Sequence, residues 1–493
     1  MRSFDKKIIL FIILLFAIST LQAQVKFRKV YGGSDYDYGY SVQQTFDRGY
    51  IVAGVTTNFG SGNTDAYILK TDSIGVAKWH YTYGGINIDR AYSIKQTIDS
   101  GYVIAGYTNS LGHGGYDMYV IKTNKYGDTI WTKTYGGANW DFAYSIELTT
   151  DGGYIIGGST YSYGAGSEDM YLVKINSIGD TLWTKTYGGI NDDEAKSVKQ
   201  TTDGGYILTG STKSFGALNS DIYTVKTTST GDTIWTRQLN WTQDDFGNDV
   251  IQSYTGEYII GGKTKSSGNG NFDGVIVTLT PGGSLFSAPT YGGTNDDGFN
   301  SIDESVDGRL AMTGYTYSYG SGFGTSDFVF YIENPYIGQK SGTFGGAKMD
   351  EAYCISETND KGYIICGNTL SYSNLDHIYL IKTDSNGVSA TSVNLVVTGF
   401  SSVIQSDNEF KLFPNPSNDA VHVSIYNKEV LDNASFTIHI IDVLGQEVYK
   451  ETFSNNHSPE QIKINTNTIN GGLYFVRIDA GGFSGNQKLL IRH

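Results

Sequence analysis

Proline and cysteine are scarce in this 493-residue chain, with 6 Pro and 2 Cys against 63 Gly. Long apolar runs are scarce as well. The run from Ile8 to Ala17 is shorter than the roughly 18–20 residues a membrane-spanning helix needs, and no later segment approaches that length. Positive charge is in deficit: 35 Lys and Arg face 50 Asp and Glu, for a net charge of −15. That balance argues against nucleic acid or an anionic membrane as a partner. Sequence signs of catalysis are missing too. The histidines His80, His113, His377, His422, His439, His457 and His493 are scattered, with no His-x-x-x-His pair, and no Gly-x-Ser-x-Gly elbow occurs. What the chain has instead is aromatic residues (38 Tyr, 23 Phe, 6 Trp) among many glycines, a mix that reads as short strands joined by glycine turns.

Those strands repeat. Tyr-Gly-Gly begins at Tyr31, Tyr83, Tyr135, Tyr187 and Tyr291; Leu239 holds a degenerate copy and Phe344 starts Phe-Gly-Gly. Successive anchors lie 52 residues apart, and the last pair 53. Within one unit, alternating apolar positions predict four strands: Tyr144–Leu148, Tyr154–Thr160, Asp169–Lys174 and Leu182–Tyr187. Asp151-Gly152-Gly153 supplies a tight hairpin turn between the first two. Four antiparallel strands in about 50 residues is the size of a propeller blade. Val25–Val30 matches a fourth strand without its preceding three, while the last repeat stops after its third strand, Ile378–Lys382. The N-terminal strand can therefore complete the last blade, which would remove two exposed sheet edges. The expected fold is all-β: a seven-bladed β-propeller over residues 24–390, with four-stranded blades and a ring closed by the N-terminal strand. A small C-terminal β-sandwich over 409–493 follows.

Both ends carry further signals. Lys6 and Lys7, the apolar run and Leu21-Gln22-Ala23 read as a secretory signal over residues 1–23. Thr391 to Asn408 is rich in Ser, Thr and Val without repeat character and reads as a linker over 391–408.

The repeats, with their Tyr-Gly-Gly, Gly-Tyr-Ile-Ile-x-Gly and Asp-x-Tyr-Leu-x-Lys-Thr runs, resemble the β-propeller repeats of secreted Bacteroidetes proteins. The glycine doublet Gly157-Gly158 with a fourth-strand Trp is also similar to kelch repeats. The C-terminal region opens on Pro414-Asn415-Pro416, carries Gly472 and Tyr474 in a Gly-x-Tyr, and closes on Lys488-Leu489-Leu490-Ile491. It resembles the type A C-terminal sorting domain of the type IX secretion system. The resemblance implies type IX machinery as a partner, removal of the domain during export, and a product attached to the surface or released.

Two carboxylates recur in every repeat. The first series is Asp37, Asp89, Asp141, Asp193, Asp245, Asp297 and Asp350; the second opens the third strand as Asp65, Asp117, Asp169, Asp221, Asp273, Asp327 and Asp376. Alternating strand direction places both on one face. The expected role is to accept backbone N–H bonds and pin loops. The alternative is a ring of carboxylates at the channel mouth that could bind calcium; no other cofactor is indicated. Thr56, Thr108, Thr160, Thr212, Thr264, Thr316 and Thr369 recur in the second strand, which points to a bond within the sheet. Cys354 and Cys366 flank one hairpin turn symmetrically and are either a cross-strand disulfide or two small buried residues.

Function should lie where the repeat breaks. Arg90, His113, Trp140, Lys196, Trp241, Asp244 and Phe246 depart from it in loops expected on the same face, and are the candidate ligand-binding residues. Aromatic faces beside short polar groups suit sugar stacking or protein contact; packing between loops is the plainer account of any single one. The expected function is an exported binding or adhesion module for glycan or protein. A carbohydrate-active propeller enzyme and a purely structural surface protein are the alternatives.

Overall fold

A computed structural model describes residues 24–60, 62–216, 219–320, 325–334 and 338–397. In the C-terminal part it describes 410–413, 417, 419–425, 435–442, 446–454, 461–480 and 483–491. The signal segment 1–23 and Pro414, Asn415 and Pro416 lie outside the described residues. The chain divides into two compact units, residues 1–398 and 399–493.

The first unit holds seven sheets; six are built from consecutive strands in hairpin order, and the seventh takes in the N-terminal strand. Blade 3 shows the pattern: Asp141–Leu148, Tyr154–Thr160, Asp169–Ile175 and Thr181–Tyr187, innermost to outermost. Its first hairpin turns at Gly152, whose φ of 82° is the left-handed geometry such turns require. A lysine near the end of the third strand then ties the turn down from below. Lys70, Lys122, Lys174, Lys226 and Lys382 reach Asp47, Asp99, Asp151, Asp203 and Asp360 at 2.8–3.0 Å. These lysines are buried along their stems, so the ammonium finds its counter-charge at the blade's edge. In blade 5 the outermost strand is broken into Leu285–Ser287 and Thr290–Tyr291.

The ring closes in the last blade as expected. Phe27–Gly32 pairs antiparallel with His377–Lys382, the third strand of blade 7. One backbone bond recurs at every blade junction. The N–H of the first-series aspartate donates to a carbonyl at the entry to the previous third strand, for example Asp141 to Tyr116 at 2.7 Å. At the closure Asp37 donates to Asp376 at 3.0 Å, so the seventh junction is built like the other six. Asn394–Val397 adds a fifth strand to blade 7, parallel to the closing strand. The stretch expected as a linker from residue 391 therefore begins with an ordered strand, because its β-branched residues find an unpaired edge.

Blades pack face to face through aliphatic and aromatic layers. Trp79, Trp131, Trp183 and Trp235 of the outermost strands stack against Tyr102, Tyr154, Tyr206 and Tyr258 of the following blade, with ring centroids 5.7–6.4 Å apart. The tyrosine of Tyr-Gly-Gly has its own task. Tyr31, Tyr83, Tyr135 and Tyr187 each donate their hydroxyl at 2.6 Å to a glycine carbonyl in the next blade's outer turn: Gly75, Gly127, Gly179 and Gly231. Leu239 and Phe344 have no hydroxyl to offer, and Tyr291 donates to Glu333 instead.

Cys354 and Cys366 are register partners, and both are free thiols. Of the two expectations, the structure holds two small residues and no disulfide. Cys354 fills a position that five other blades give to serine, its Sγ lying 3.6 Å from the Val42 carbonyl across the closure seam.

The second unit packs a three-stranded sheet (Phe410–Phe413, Ala420–Ile425, Gln461–Asn465) with a four-stranded one. The latter runs Glu447–Ser454, Ser435–Asp442, Gly472–Ala480, Phe483–Ile491. Their shared core includes Val423, Ile438, Val476 and Leu489, which makes the expected small sandwich. Gly472 opens a strand there, Tyr474 donates its hydroxyl to the Asn470 carbonyl at 2.8 Å, and the Lys488 backbone pairs with Phe475.

Candidate functional site at the channel mouth

The repeated carboxylates frame the mouth. Each first-series aspartate opens an innermost strand and is buried, and in six blades its Oδ2 accepts the N–H of the second glycine of the anchor, for example Gly137 to Asp141 at 2.8 Å. A serine after the second strand adds a hydroxyl, as Ser162 does to Asp141 at 2.7 Å. In blades 3, 4 and 6 the recurrent threonine supplies a third donor, Thr160 to Asp141, Thr212 to Asp193 and Thr316 to Asp297. Second-series aspartates of blades 1, 2, 3 and 5 take loop N–H groups, including His113 to Asp117 and Gly166 to Asp169, both at 2.9 Å. In blade 7 the place belongs to His377 rather than the expected Asp376, which lies one residue before the strand. The first glycine of the anchor sits between the two carboxylates: a Cβ on Gly188 would lie 2.4 Å from Asp169 and 2.5 Å from Asp193. Loop pinning, the first expectation, accounts for the aspartates and for the glycine together. Burial, against hydrogen bonds from Thr56 and Gly33, pushes the Asp37 carboxyl up to about 6. Among the described residues no three His, Cys, Asp or Glu side chains group as a metal site.

Below this frame the innermost strands carry a feature that loop-based reasoning missed. Every blade has a register shift in its first hairpin, between Gly39 and Ser41, Ala91 and Ser93, Ala143 and Ser145, and so on round the ring. A bulge re-aims the extra residue. Here the seven extra residues are Tyr40, Tyr92, Tyr144, Lys196, Asn248, Asn300 and Tyr353, and all line a channel cavity of about 210 Å³. Four tyrosines form an arc: Tyr40 lies 5.3 Å from Tyr353 and 4.8 Å from Tyr92, and Tyr92 lies 5.4 Å from Tyr144. The Lys196 ammonium continues the arc, 4.0 Å over the Tyr144 ring. Asn248 and Asn300 turn their amides to the Phe299 and Ala352 carbonyls of the next blades, both at 2.8 Å.

Deeper still, Glu147 is bracketed by Lys95 and Lys199 at 3.1 Å each. Burial alone would raise the Glu147 carboxyl, but the two ammonium groups hold it at about 2. On the other side Asp303 accepts the Glu357 N–H at 2.6 Å, and burial pushes its carboxyl up to about 6 against the pull of Lys199 and Lys95.

Two clusters stand on the rim. At blades 2 and 3, Arg90 lies over Tyr107 at 5.8 Å and donates to the Tyr92 hydroxyl at 3.4 Å. From Tyr107 the rings run through Tyr116 at 5.1 Å to Trp140, 5.9 Å from both Tyr116 and Tyr161. Trp140 is 51% exposed at the head of this stack, and Tyr161 donates to Glu168 at 2.8 Å. At blade 5, Lys263 lies over Phe272 at 4.7 Å, Phe246 at 5.4 Å and Tyr315 of blade 6 at 5.8 Å.

The seven candidate residues thus do not make one site. Arg90 and Trp140 share the first cluster, and Phe246 belongs to the second. Asp244 stands beside that second cluster, paired with Lys265 at 3.5 Å. Lys196 belongs to the tyrosine arc. His113 is exposed and contributes its backbone to Asp117. Trp241 is a packing residue: its N–H donates to Asp221 at 3.2 Å and its ring lies on the core between blades 4 and 5. Of the other loop aromatics, Tyr163, Phe215 and Tyr372 pack on Tyr171, Tyr223 and Tyr379 of their own blades at 5.4–5.7 Å. The one signal in the sequence is that this inner-strand position reads Tyr, Tyr, Tyr, Lys, Asn, Asn and Tyr round the ring, a departure from repetition that several other inner-strand positions share.

The first unit is a seven-bladed β-propeller with an unevenly lined channel. Residues 411–492 match the family model of the secretion system C-terminal sorting domain. The protein is therefore a propeller exported by the type IX system to the cell surface or the medium. No curated protein sequence matches the chain. Among solved structures it is similar to Sqt1 from Chaetomium thermophilum, at 9% identity over 73% of this chain and 98% of that one, with a TM-score of 0.41. The WD40 domain of Neurospora crassa Pan2 matches at 8% over 72% and 99%, TM-score 0.42. A protein of unknown function from Dyadobacter fermentans matches at 12% over 73% and 98%, TM-score 0.42. Among the described residues no helix is long and apolar enough to cross a membrane.

Proposed function

We propose that the propeller is a binding module for carbohydrate outside the cell, with adhesion as its setting, and that the ligand docks at the channel mouth. The observation that carries this reading is Trp140. A half-exposed indole at the head of a cluster with Tyr107, Tyr116, Phe142 and Tyr161, with Arg90 and Glu168 at the edges of that cluster, presents a flat apolar face next to polar groups. Sugar rings stack on such faces through their C–H edges while neighbouring polar groups fix their hydroxyls. The stack is confined to two blades, so it breaks the sevenfold pattern that packing alone would repeat.

A glycan array probed with the chain from residue 24 tests this. Trp140→Ala should weaken binding at least tenfold, about 1.4 kcal/mol, and leave the thermal midpoint unchanged because the ring is half exposed. Absence of binding to any glycan would end the proposal. Release of sugar products from a bound glycan would replace it with a carbohydrate-active enzyme.

A further inference from the structure

Lysine is normally paired in this acidic protein. The third-strand lysines meet turn aspartates, Lys95 and Lys199 share Glu147, Lys213 meets Asp192 at 3.1 Å, and Lys265 meets Asp244. Lys263 differs. It makes no ion pair or side-chain hydrogen bond among the described residues, although it is only partly exposed. Its stem and ammonium lie instead among Phe246, Phe272 and Tyr315.

Packing does not require a lysine there. Lys263 is the cross-strand partner of Phe246, and the same place in the other blades holds Val55, Tyr107, Ser159, Ser211, Tyr315 and Asn368. Residues from small polar to large aromatic satisfy the sheet at that position. An ammonium without a counter-ion in a partly desolvated place costs free energy, and burial does lower its affinity for the proton. Lys196 and Lys265 add positive potential; Glu351 and Asp296 oppose it. Neither carboxylate reaches the ammonium as a direct partner: Glu351 accepts from the Tyr353 hydroxyl at 2.8 Å, and Asp296 accepts the Phe272 N–H at 3.2 Å. The three rings already surround one cation, so this corner is not a receptor for a second.

We propose that Lys263 receives an anionic group of the ligand, the carboxylate of a uronic acid or the sulfate of a sulfated sugar, with the rings of Phe246, Phe272 and Tyr315 holding the ammonium in position. This rests on the carbohydrate reading above and narrows it to acidic glycans. An incoming anion supplies the direct contact that Glu351 and Asp296 do not make, in a setting where a charge-assisted hydrogen bond is stronger than in water.

The test measures binding of the chain from residue 24 to three soluble polymers: a polyuronate, a sulfated polysaccharide and a neutral glucan. Wild type should bind at least one of the acidic polymers, with affinity falling as salt rises. Lys263→Met should reduce that affinity tenfold or more at an unchanged or higher thermal midpoint, and Lys263→Arg should retain it. Equal binding of the acidic polymer by wild type and a folded Lys263→Met would overturn the inference. If Lys263→Met fails to fold, Lys263→Gln takes its place under the same criterion. Binding confined to the neutral glucan, lost in Trp140→Ala, would overturn the inference and spare the carbohydrate reading; no binding to any polymer would remove both.

Discussion

Asp303 and Glu147 sit in the same channel with opposite consequences for stability. Asp303 has its carboxyl raised to about 6, so the folded protein holds a proton that the unfolded chain gives up near pH 4. Stability therefore falls as pH rises from about 4 to about 6, and at neutral pH the charged form carries a penalty on the order of 3 kcal/mol. Asp303→Asn is expected to raise the urea midpoint at pH 7.5 and to be neutral near pH 4. A destabilised variant at pH 7.5 would show that the contacts with Lys199 and Lys95 outweigh burial. Glu147 runs the other way: held at about 2, it contributes stability present above its unfolded value and lost as pH falls through 2. None of this was legible in the sequence. Lys95, Glu147, Lys199 and Asp303 fall in one column of the repeat; the first three pair between successive blades, whereas Asp303 feels Lys199 and Lys95 because the ring brings blade 6 across the channel from them. The aspartates of the Tyr-Gly-Gly loops were legible, since their partners lie within 25 residues along the chain.

The element that decides what lines the channel is the bulge in each innermost strand. Strict alternation, which served well for locating strands, fails at a bulge because one extra residue shifts every later side chain to the other face. Alternation alone therefore gives no sign that Tyr40, Tyr92 and Tyr144 face the channel. The loops themselves are held by carboxylate pairs such as Asp169 and Asp193, whose donors are N–H and hydroxyl groups of the loops they pin. Calcium takes six to eight oxygen ligands, more than one pair supplies. Chelation with EDTA is accordingly expected to move the thermal midpoint by less than about 1 °C, which in a domain of this size is on the order of 1 kcal/mol or less. A drop of several degrees, restored by calcium, would assign the pairs to a metal.

At the scale of the whole molecule the ring is uneven. Tyrosine-to-glycine clasps bind four successive junctions, from the closure seam through blade 4, and are missing at the three that follow. Each clasp satisfies a carbonyl that would otherwise compete for water, a contribution of about 1 kcal/mol. Hydrogen exchange should therefore report faster opening in the outer turns near Gly283 and Gly387 than in those near Gly75, Gly127, Gly179 and Gly231. Uniform protection round the ring would refute a mechanical role for the clasp. The blade count and the closing strand were readable from the 52-residue spacing and the unpartnered N-terminal strand. The extra strand Asn394–Val397 was not, because four residues without repeat character give no periodic signal.

That short strand sets a limit on maturation. Loss of the sorting domain during export, implied by its family, must sever the chain somewhere between the two units. A cut before Asn394 would strip the outer edge of Phe27–Gly32 and leave the seam as a bare template for strand addition by another copy. A cut after Val397 leaves that edge sheathed, so the released propeller would carry its own guard against self-association at the place where its two ends meet.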